Sequence, residues 1–235
     1  MDSSHGIHVA QASILYTLRH ATRARYSELL RPTNLEGDRF KYHLATLLRK
    51  KLVFKAVDGM YELTAEGKEF ANRIDESTGR EIAGPKASML LVVRSHANGA
   101  TYYLAHKRTR EPFRDYWGIA SAPMLRGLPV RDSAARELRK QTGIVADFTV
   151  AGMQRLIDTL PNGVVLEDKL FTLLLADVDD LPPAHQWYGG ESVWLTREEL
   201  LSKDRLFHTT QVSLDMIERG QSFSEEVCVY DKSDY

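Results

Sequence analysis

The sequence predicts an α+β chain of two domains, a small helical one that ends in a hairpin and a larger mixed one. Three observations carry this. Apolar residues recur at helical spacing up to about residue 50 and in strand-like runs afterwards. A polar stretch bearing Gly and Pro, residues 76–86, divides the chain. Charge is divided as well: residues 1–57 hold ten Lys and Arg against four acids, a balance of +6, and the net −1 of the whole leaves −7 for the rest. With 235 residues, 43% hydrophobic and 27% charged, the composition is that of a globular protein and excludes a disordered or fibrous chain.

In the first domain, residues 1–75, Ile7, Ile14, Leu15 and Leu18 share one stripe and predict a helix over 8–20. A short helix at 27–31 is expected to start on Ser27, and Pro32-Thr33-Asn34 interrupts the pattern. A third helix, 36–50, buries Phe40, Leu44, Leu47 and Leu48 and leaves Arg39, Lys41, Tyr42 and Thr46 opposite them. Extended runs at 52–57 and 60–64 flank Asp58-Gly59, a pair favoured in tight hairpins. Thr64 then caps a helix over 65–74 with Glu66 in its first turn.

The second domain is read as 87–221. Strands at 87–95 and 100–107 surround an Asn98-Gly99 turn, and a loop rich in charge and aromatics follows at 108–117. A helix over 130–142 stops at Gly143. Strands are expected at 145–153, 169–178 and 192–195, and a last helix at 209–219. Residues 222–235 are read as an acidic tail, either disordered or holding a short strand at Val227-Cys-Val-Tyr230.

Several classes fall away. The longest apolar run, Met89-Leu-Leu-Val-Val93, is far short of the ~20 residues of a membrane span, so no membrane partner is expected. No basic stretch followed by an apolar segment opens the chain, so no secretory signal is expected. Cys228, the only cysteine, can form neither an internal disulfide nor a thiolate cage, which fits the reducing cytoplasm. The histidines lack ligand spacing, so zinc is not expected.

Residues 7–74, in the order helix, helix, helix, hairpin, resemble the winged helix-turn-helix family. The carriers are Tyr26-Ser-Glu-Leu-Leu30, Phe40-Lys-Tyr-His-Leu-Ala-Thr-Leu-Leu48 and residues 52–67, which are similar to the wing and following helix of small prokaryotic regulators. The resemblance implies double-stranded DNA as a partner. A helix enters the major groove only if one face is anchored by apolar contacts and the other offers donors. Arg39, Lys41 and Tyr42 stand in the N-terminal half of the third helix, where base contacts arise, and Arg23, Arg25 and Lys55 flank it where phosphates would lie. Asp38 opposes phosphate unless it accepts from a cytosine amino group. The alternative is a solvated face on a winged helix that binds protein.

The segment Ala134-Ala-Arg-Glu-Leu-Arg-Lys-Gln-Thr-Gly-Ile144 resembles the helix of the Nudix family, whose signature reads G-x5-E-x7-R-E-U-x-E-E-x-G-U, with U a bulky aliphatic residue. Arg136, Glu137, Leu138, Gly143 and Ile144 match; Trp117 and Gly127 stand where the family often has those residues, and 193–200 looks like its strand-to-helix segment. The likeness spans 86–220 and implies a mixed α/β/α sandwich, so the expected architecture is a winged helix-turn-helix followed by a Nudix-type domain. The departures concern the metal. The signature glycine falls on Ala122, the first glutamate on Leu128, and the paired glutamates on Lys140 and Gln141. In the family those glutamates hold magnesium against a substrate diphosphate. Residues 137, 140 and 141 share one helix face, and its formal charge changes from −3 to 0. No metal, cofactor or catalytic residue is therefore expected.

The Lys140 ammonium beside Glu137 can instead hold a phosphate, with Arg94, Lys107, Arg108 and Arg110 adding charge at the same mouth and Trp117 stacking on a base or ribose. The plainer alternative makes Lys140 a solvated residue and Trp117, Trp187 and Tyr188 core or rim. The sequence thus predicts a homodimeric DNA-binding transcriptional regulator whose degenerate Nudix domain senses a nucleotide-like or sugar-phosphate ligand. A second reading is a Nudix hydrolase of nucleoside diphosphate derivatives with an unorthodox site: Glu137 as base, Glu167, Asp168 or Glu191 nearby in loops, and magnesium as its cofactor. A third is a scaffold in which both domains bind proteins.

Overall fold

A computed structural model describes residues 7–75, 78, 80, 82, 84–183 and 189–234. The chain forms two compact units, Met1–Ala83 and Gly84–Tyr235. Five residues of the expected linker (Glu76, Ser77, Gly79, Glu81, Ala83) lie outside the described residues, as do Trp187 and Tyr188.

The smaller unit contains α1 (Val9–Ala21), β1 (Arg23–Ala24), α2 (Tyr26–Leu30) running into a 3-10 turn (Arg31–Thr33), α3 (Gly37–Arg49), β2 (Val53–Lys55), β3 (Tyr61–Leu63) and α4 (Ala65–Ala71). The strands pair antiparallel in the order β1-β3-β2. Ile14, Leu15, Leu18, Leu29, Phe40, Leu44 and Leu47 meet in one core, which holds the three helices against the sheet. α2 starts earlier than a Ser27 cap requires, because the Glu28 carboxylate accepts the Arg25 backbone N–H at 2.7 Å and closes the helix at residue 25. Thr46 is buried, where an exposed position was expected; its hydroxyl donates back to the Tyr42 carbonyl at 2.9 Å, which lets a polar residue face the core. Thr64 caps α4, accepting the Gly67 N–H at 2.9 Å.

The larger unit contains β4 (Lys86–Ala97), β5 (Ala100–Arg108), β6 (Trp117–Pro123), α5 (Val130–Thr142), β7 (Thr149–Thr159), β8 (Val165–Val178), β9 (Gly190–Thr196), α6 (Arg197–Leu201), α7 (Thr209–Arg219) and β10 (Phe223–Val229). One mixed sheet runs β10-β7-β8-β4-β6-β5-β9, with β4 also pairing β5. The continuous apolar run of β4 reflects burial on both faces. Met89, Leu91 and Val93 pack with Ala134 and Leu138 of α5, whereas Leu90 and Val92 pack with Leu200, Leu214 and Met216 of α6 and α7.

The strand expected at 227–230 is present and longer, Phe223–Val229, so this segment is not a disordered tail. β10 pairs parallel with β7 from Phe223 opposite Met153 to Val229 opposite Thr159, and the Tyr230 N–H donates to the Thr159 carbonyl at 2.9 Å. Its acids do not prevent this, because Ser224 and Cys228 turn inward on alternate positions while Glu225 faces out and meets Arg155 at 3.3 Å. β6 pairs with β4 and β5; only its first residue, Trp117, falls in the expected loop and the rest was assigned no element, because its small residues hide the alternation. β7 extends to Thr159 because its polar inward residues find partners, Gln154 with Ser213 at 2.7 Å and Asp158 with Lys169.

Candidate functional site

A cavity of about 370 Å³ opens in the larger unit, within the range of small-molecule sites. Its floor is Leu90, Ile119, Leu156 and Phe171, all from the sheet face that packs on α7. Five cations line it, Lys86, Arg108, Arg110, Lys140 and Lys169, against two carboxylates, Glu137 and Glu167. Among the described residues the Arg108 guanidinium donates only to carbonyls, to Arg110 at 3.0 Å, to Glu111 at 3.2 Å and to Pro112. It therefore fixes the loop after β5 and keeps its charge. Burial, then the Arg110 cation, lowers its pKa, but a guanidinium remains protonated. Lys169 stands between Asp158 and Glu167, the latter at 2.9 Å. Burial opposes its charge, the two carboxylates outweigh burial, and its pKa is raised.

The α5 face does not fit a magnesium ion. Glu137 is 5% exposed, the Lys140 Nζ stands 3.8 Å from its carboxylate, and Gln141 Nε2 donates to the Ser121 carbonyl at 3.3 Å. One carboxylate, already paired, and one amide turned donor-inward supply too few anionic oxygens for a hard cation. Among the described residues no three His, Cys, Asp or Glu side chains cluster to hold a metal.

Of the residues expected to bind ligand, Arg110, Glu137 and Lys140 line the cavity; Arg94, Lys107 and Trp117 do not. Arg94 pairs with Asp177 at 2.6 Å, and Lys107 stands between Asp115 at 3.4 Å and Glu191 at 3.6 Å. Trp117 is an anchor: its backbone bonds to Arg205 and Phe207, and its ring lies under the Lys203 ammonium at 4.9 Å. It thereby places Phe207 in the cavity wall. Glu167 and Asp168 stand on β8 and not in loops, and they face opposite ways. Glu167 lines the cavity, and Asp168 pairs with Arg155 at 3.0 Å. Sequence reasoning missed Lys86, Lys169, Thr209, Thr210 and Ser213 as cavity residues. The signal for Lys169 was the period of two through Glu167, Lys169 and Phe171.

His106, beside this rim on β5, is lowered to about 4, by burial first and then by the Arg108 and Arg110 cations. An unfolded histidine titrates near 6.5, so between these values only the unfolded chain takes up the proton. Stability contributed by the neutral ring is present above about pH 6.5 and lost as pH falls toward 4. Urea unfolding of the larger unit at pH 5 is expected to show up to about 2 kcal/mol less stability than at pH 8. His106→Gln should remove most of that difference.

In the smaller unit, Arg39, Lys41 and Tyr42 all lie exposed on α3, Tyr42 at 66%. Lys41 donates to Asp38 at 3.1 Å, a bond that raises its pKa. Arg23 pairs with Asp58 and with Glu62 at 3.5 Å, and Lys55 lies over the Tyr61 ring at 5.6 Å. The guanidinium groups of Arg25 and Arg39 pair with no carboxylate among the described residues.

No family model matches the chain, and none of the curated proteins does. Among solved structures, the NUDIX domain of Shewanella oneidensis NrtR, complexed with ADP ribose, is similar with a TM-score of 0.52 at 14% identity, covering 67% of this chain and 99% of its own. The larger unit has the Nudix fold. Two further Nudix-type structures are similar: the MutT NUDIX hydrolase from Burkholderia pseudomallei (22% identity, TM-score 0.46, 57% of this chain and 99% of its own) and the MutT protein from Methanosarcina mazei Go1 (17%, 0.46, 59% and 97%). At these identities the likeness concerns fold alone. In the Nudix unit, α5 is the segment that resembles the family's helix, and its face is the one that lacks the paired carboxylates. Among the described residues no helix is long and apolar enough to cross a membrane.

Proposed function

We propose that the chain is a cytoplasmic transcriptional regulator that reads double-stranded DNA with a winged helix over residues 1–75. Its Nudix domain binds a nucleotide-like or sugar-phosphate ligand without cleaving it. The observation that carries this reading is the donor set of the cavity: five cations, and a Glu137 carboxylate already paired with Lys140. Such a lining neutralises phosphate but leaves nothing to gather a metal and activate water against it. Nucleoside diphosphates incubated with magnesium or manganese are expected to release no phosphate above the background of a Glu137→Gln variant. Turnover that this substitution abolishes would instead establish the hydrolase.

DNA binding is supported by the exposed Arg39, Lys41 and Tyr42 on a helix whose other side is locked by Phe40, Leu44 and Leu47. The chain acts as a homodimer, since two half-sites give a small reader its specificity. In fluorescence anisotropy with a site selected from genomic DNA, Arg39→Ala with Lys41→Ala should weaken binding by about tenfold or more and lower the salt slope by ~1–2. Arg39 should account for most of the loss, because Lys41 is already held by Asp38. Unchanged curves would remove this helix from the interface.

A further inference from the structure

The outward face of α5 carries charge that the fold does not neutralise. At about 100° per residue, Arg131, Arg139 and Arg136 fall within an arc of roughly 140°, and all three are exposed. The opposite arc holds Ala134, Glu137, Leu138 and Gln141, all buried. The three guanidinium groups form no hydrogen bond or ion pair among the described residues. Asp132 precedes Arg136 by four residues, the spacing of a helical ion pair, yet the two do not pair. Every other arginine of the larger unit interacts with a partner in the chain. Arg94, Arg155 and Arg197 meet carboxylates, Arg114 and Arg205 donate to carbonyls as Arg108 does, and Arg110, Arg126 and Arg219 are engaged as well. The unit as a whole is acidic, with eighteen Lys and Arg against twenty-one Asp and Glu over residues 84–235. Unpaired guanidinium charge is thus confined, among its described residues, to one helix of a negatively charged body.

The chemistry of this face narrows the partner. No large hydrophobic residue of α5 is exposed, so the face lacks the apolar and aromatic centre on which protein partners pack. It offers guanidinium groups, whose fork matches two phosphate oxygens at once. From Arg131 to Arg139 the helix rises about 12 Å. Over that length one strand of B-DNA presents roughly three or four phosphates, at about one per 3.4 Å of axis. Contacts of this kind hold a duplex in place and carry no sequence information. α3 differs, since Asp38 holds Lys41 there and an exposed tyrosine, Tyr42, stands beside it.

We propose that the outward face of α5 binds the phosphate backbone of double-stranded DNA, so that the larger unit adds a sequence-independent contact. The inference rests on the DNA-binding reading, and the experiment separates the two. Fluorescence anisotropy of the full chain is followed against salt, with the duplex selected from genomic DNA and with a scrambled duplex of equal length. Arg131→Gln, Arg136→Gln and Arg139→Gln together should lower the salt slope by ~2–3 and weaken both duplexes alike, by about tenfold or more at physiological salt. Lysine at the same three positions should restore the slope, because the contact depends on charge and not on local folding. An unchanged slope in the glutamine variant, with Arg39→Ala and Lys41→Ala still weakening binding, would overturn the α5 contact and leave the α3 reading standing. Loss confined to the selected duplex would also overturn it, since the face would then be reading bases. Polyglutamate bound more tightly than either duplex would assign the face to an acidic protein instead. A wild-type chain that binds neither duplex would overturn both readings.

Discussion

Gly67→Ala is expected to destabilise the smaller unit by about 3 kcal/mol or more. Helix propensity alone argues the other way, since alanine in place of glycine in a helix is worth about 1 kcal/mol. Packing decides the sign. A Cβ at residue 67 would stand 1.8 Å from the Leu52 carbonyl oxygen and 2.8 Å from its carbon, both backbone atoms that no rotamer change can move aside. Leu52 is itself fixed: its carbonyl accepts the Thr64 N–H at 3.1 Å, and its N–H donates to Leu47 at the end of α3. Alanine must therefore lift α4 from the chain that joins α3 to β2. It would strain the Thr64 cap, whose hydroxyl accepts from Gly67 and reaches the Lys51 carbonyl at 2.7 Å. Domains of this size hold only about 5–15 kcal/mol in total. Hydrogen exchange of the buried amides of α1 and α3 in the full chain measures the effect without interference from the Nudix unit. Slower exchange in the variant would mean that propensity had won and that the contact yields easily.

The sequence exposed this part of the molecule well, because each element there follows a local rule. Thr64, three residues before Gly67, has the spacing of a cap, and Asp58-Gly59 marks the hairpin, where Gly59 takes a φ of 86°. α5 was legible for a similar reason, ending on Gly143 at a φ of 77°. β10 was legible only in part, as one of two alternatives and only over 227–230. Its acids suggest a tail, and what holds its full length is its parallel pairing with β7, a partner about seventy residues away that no local pattern reveals.

Site residues divide along the same line. Glu137 and Lys140 were found because a helix face is fixed by spacing alone. Arg94, Lys107 and Trp117 were misplaced because charge and aromaticity say nothing about direction. Tertiary partners settle it: Asp177 holds Arg94, two carboxylates hold Lys107, and the 203–207 segment covers Trp117. Thr209 and Thr210 could not be seen, since only the packing of α7 on the sheet brings them to the cavity wall.

Lys169→Met should cost the Nudix unit about 3–5 kcal/mol at neutral pH, and the cost should shrink on acidification. The side chain is 14% exposed and that of Asp158 only 3%, so the ion pair is shielded from water. Methionine fills the volume of the stem but leaves the Asp158 and Glu167 carboxylates close together without their shared cation. Burial already raises the Asp158 pKa, and Lys169 is the principal force pulling it down. Without the ammonium it rises further above its unfolded value near 3.9, so the folded state takes up a proton that the unfolded state does not. A carboxyl of raised pKa penalises folding fully above the folded pKa and releases the penalty as pH falls through it. The stability difference between variant and wild type, followed by urea unfolding from pH 8 downward, should therefore narrow in acid. His106 contributes equally to both proteins and drops out of the difference. Lys169→Met combined with Asp158→Asn should recover much of the loss and flatten the remaining pH dependence. A variant as stable as wild type at pH 8 would mean that water reaches the two carboxylates and that the cation is not what neutralises this wall of the cavity.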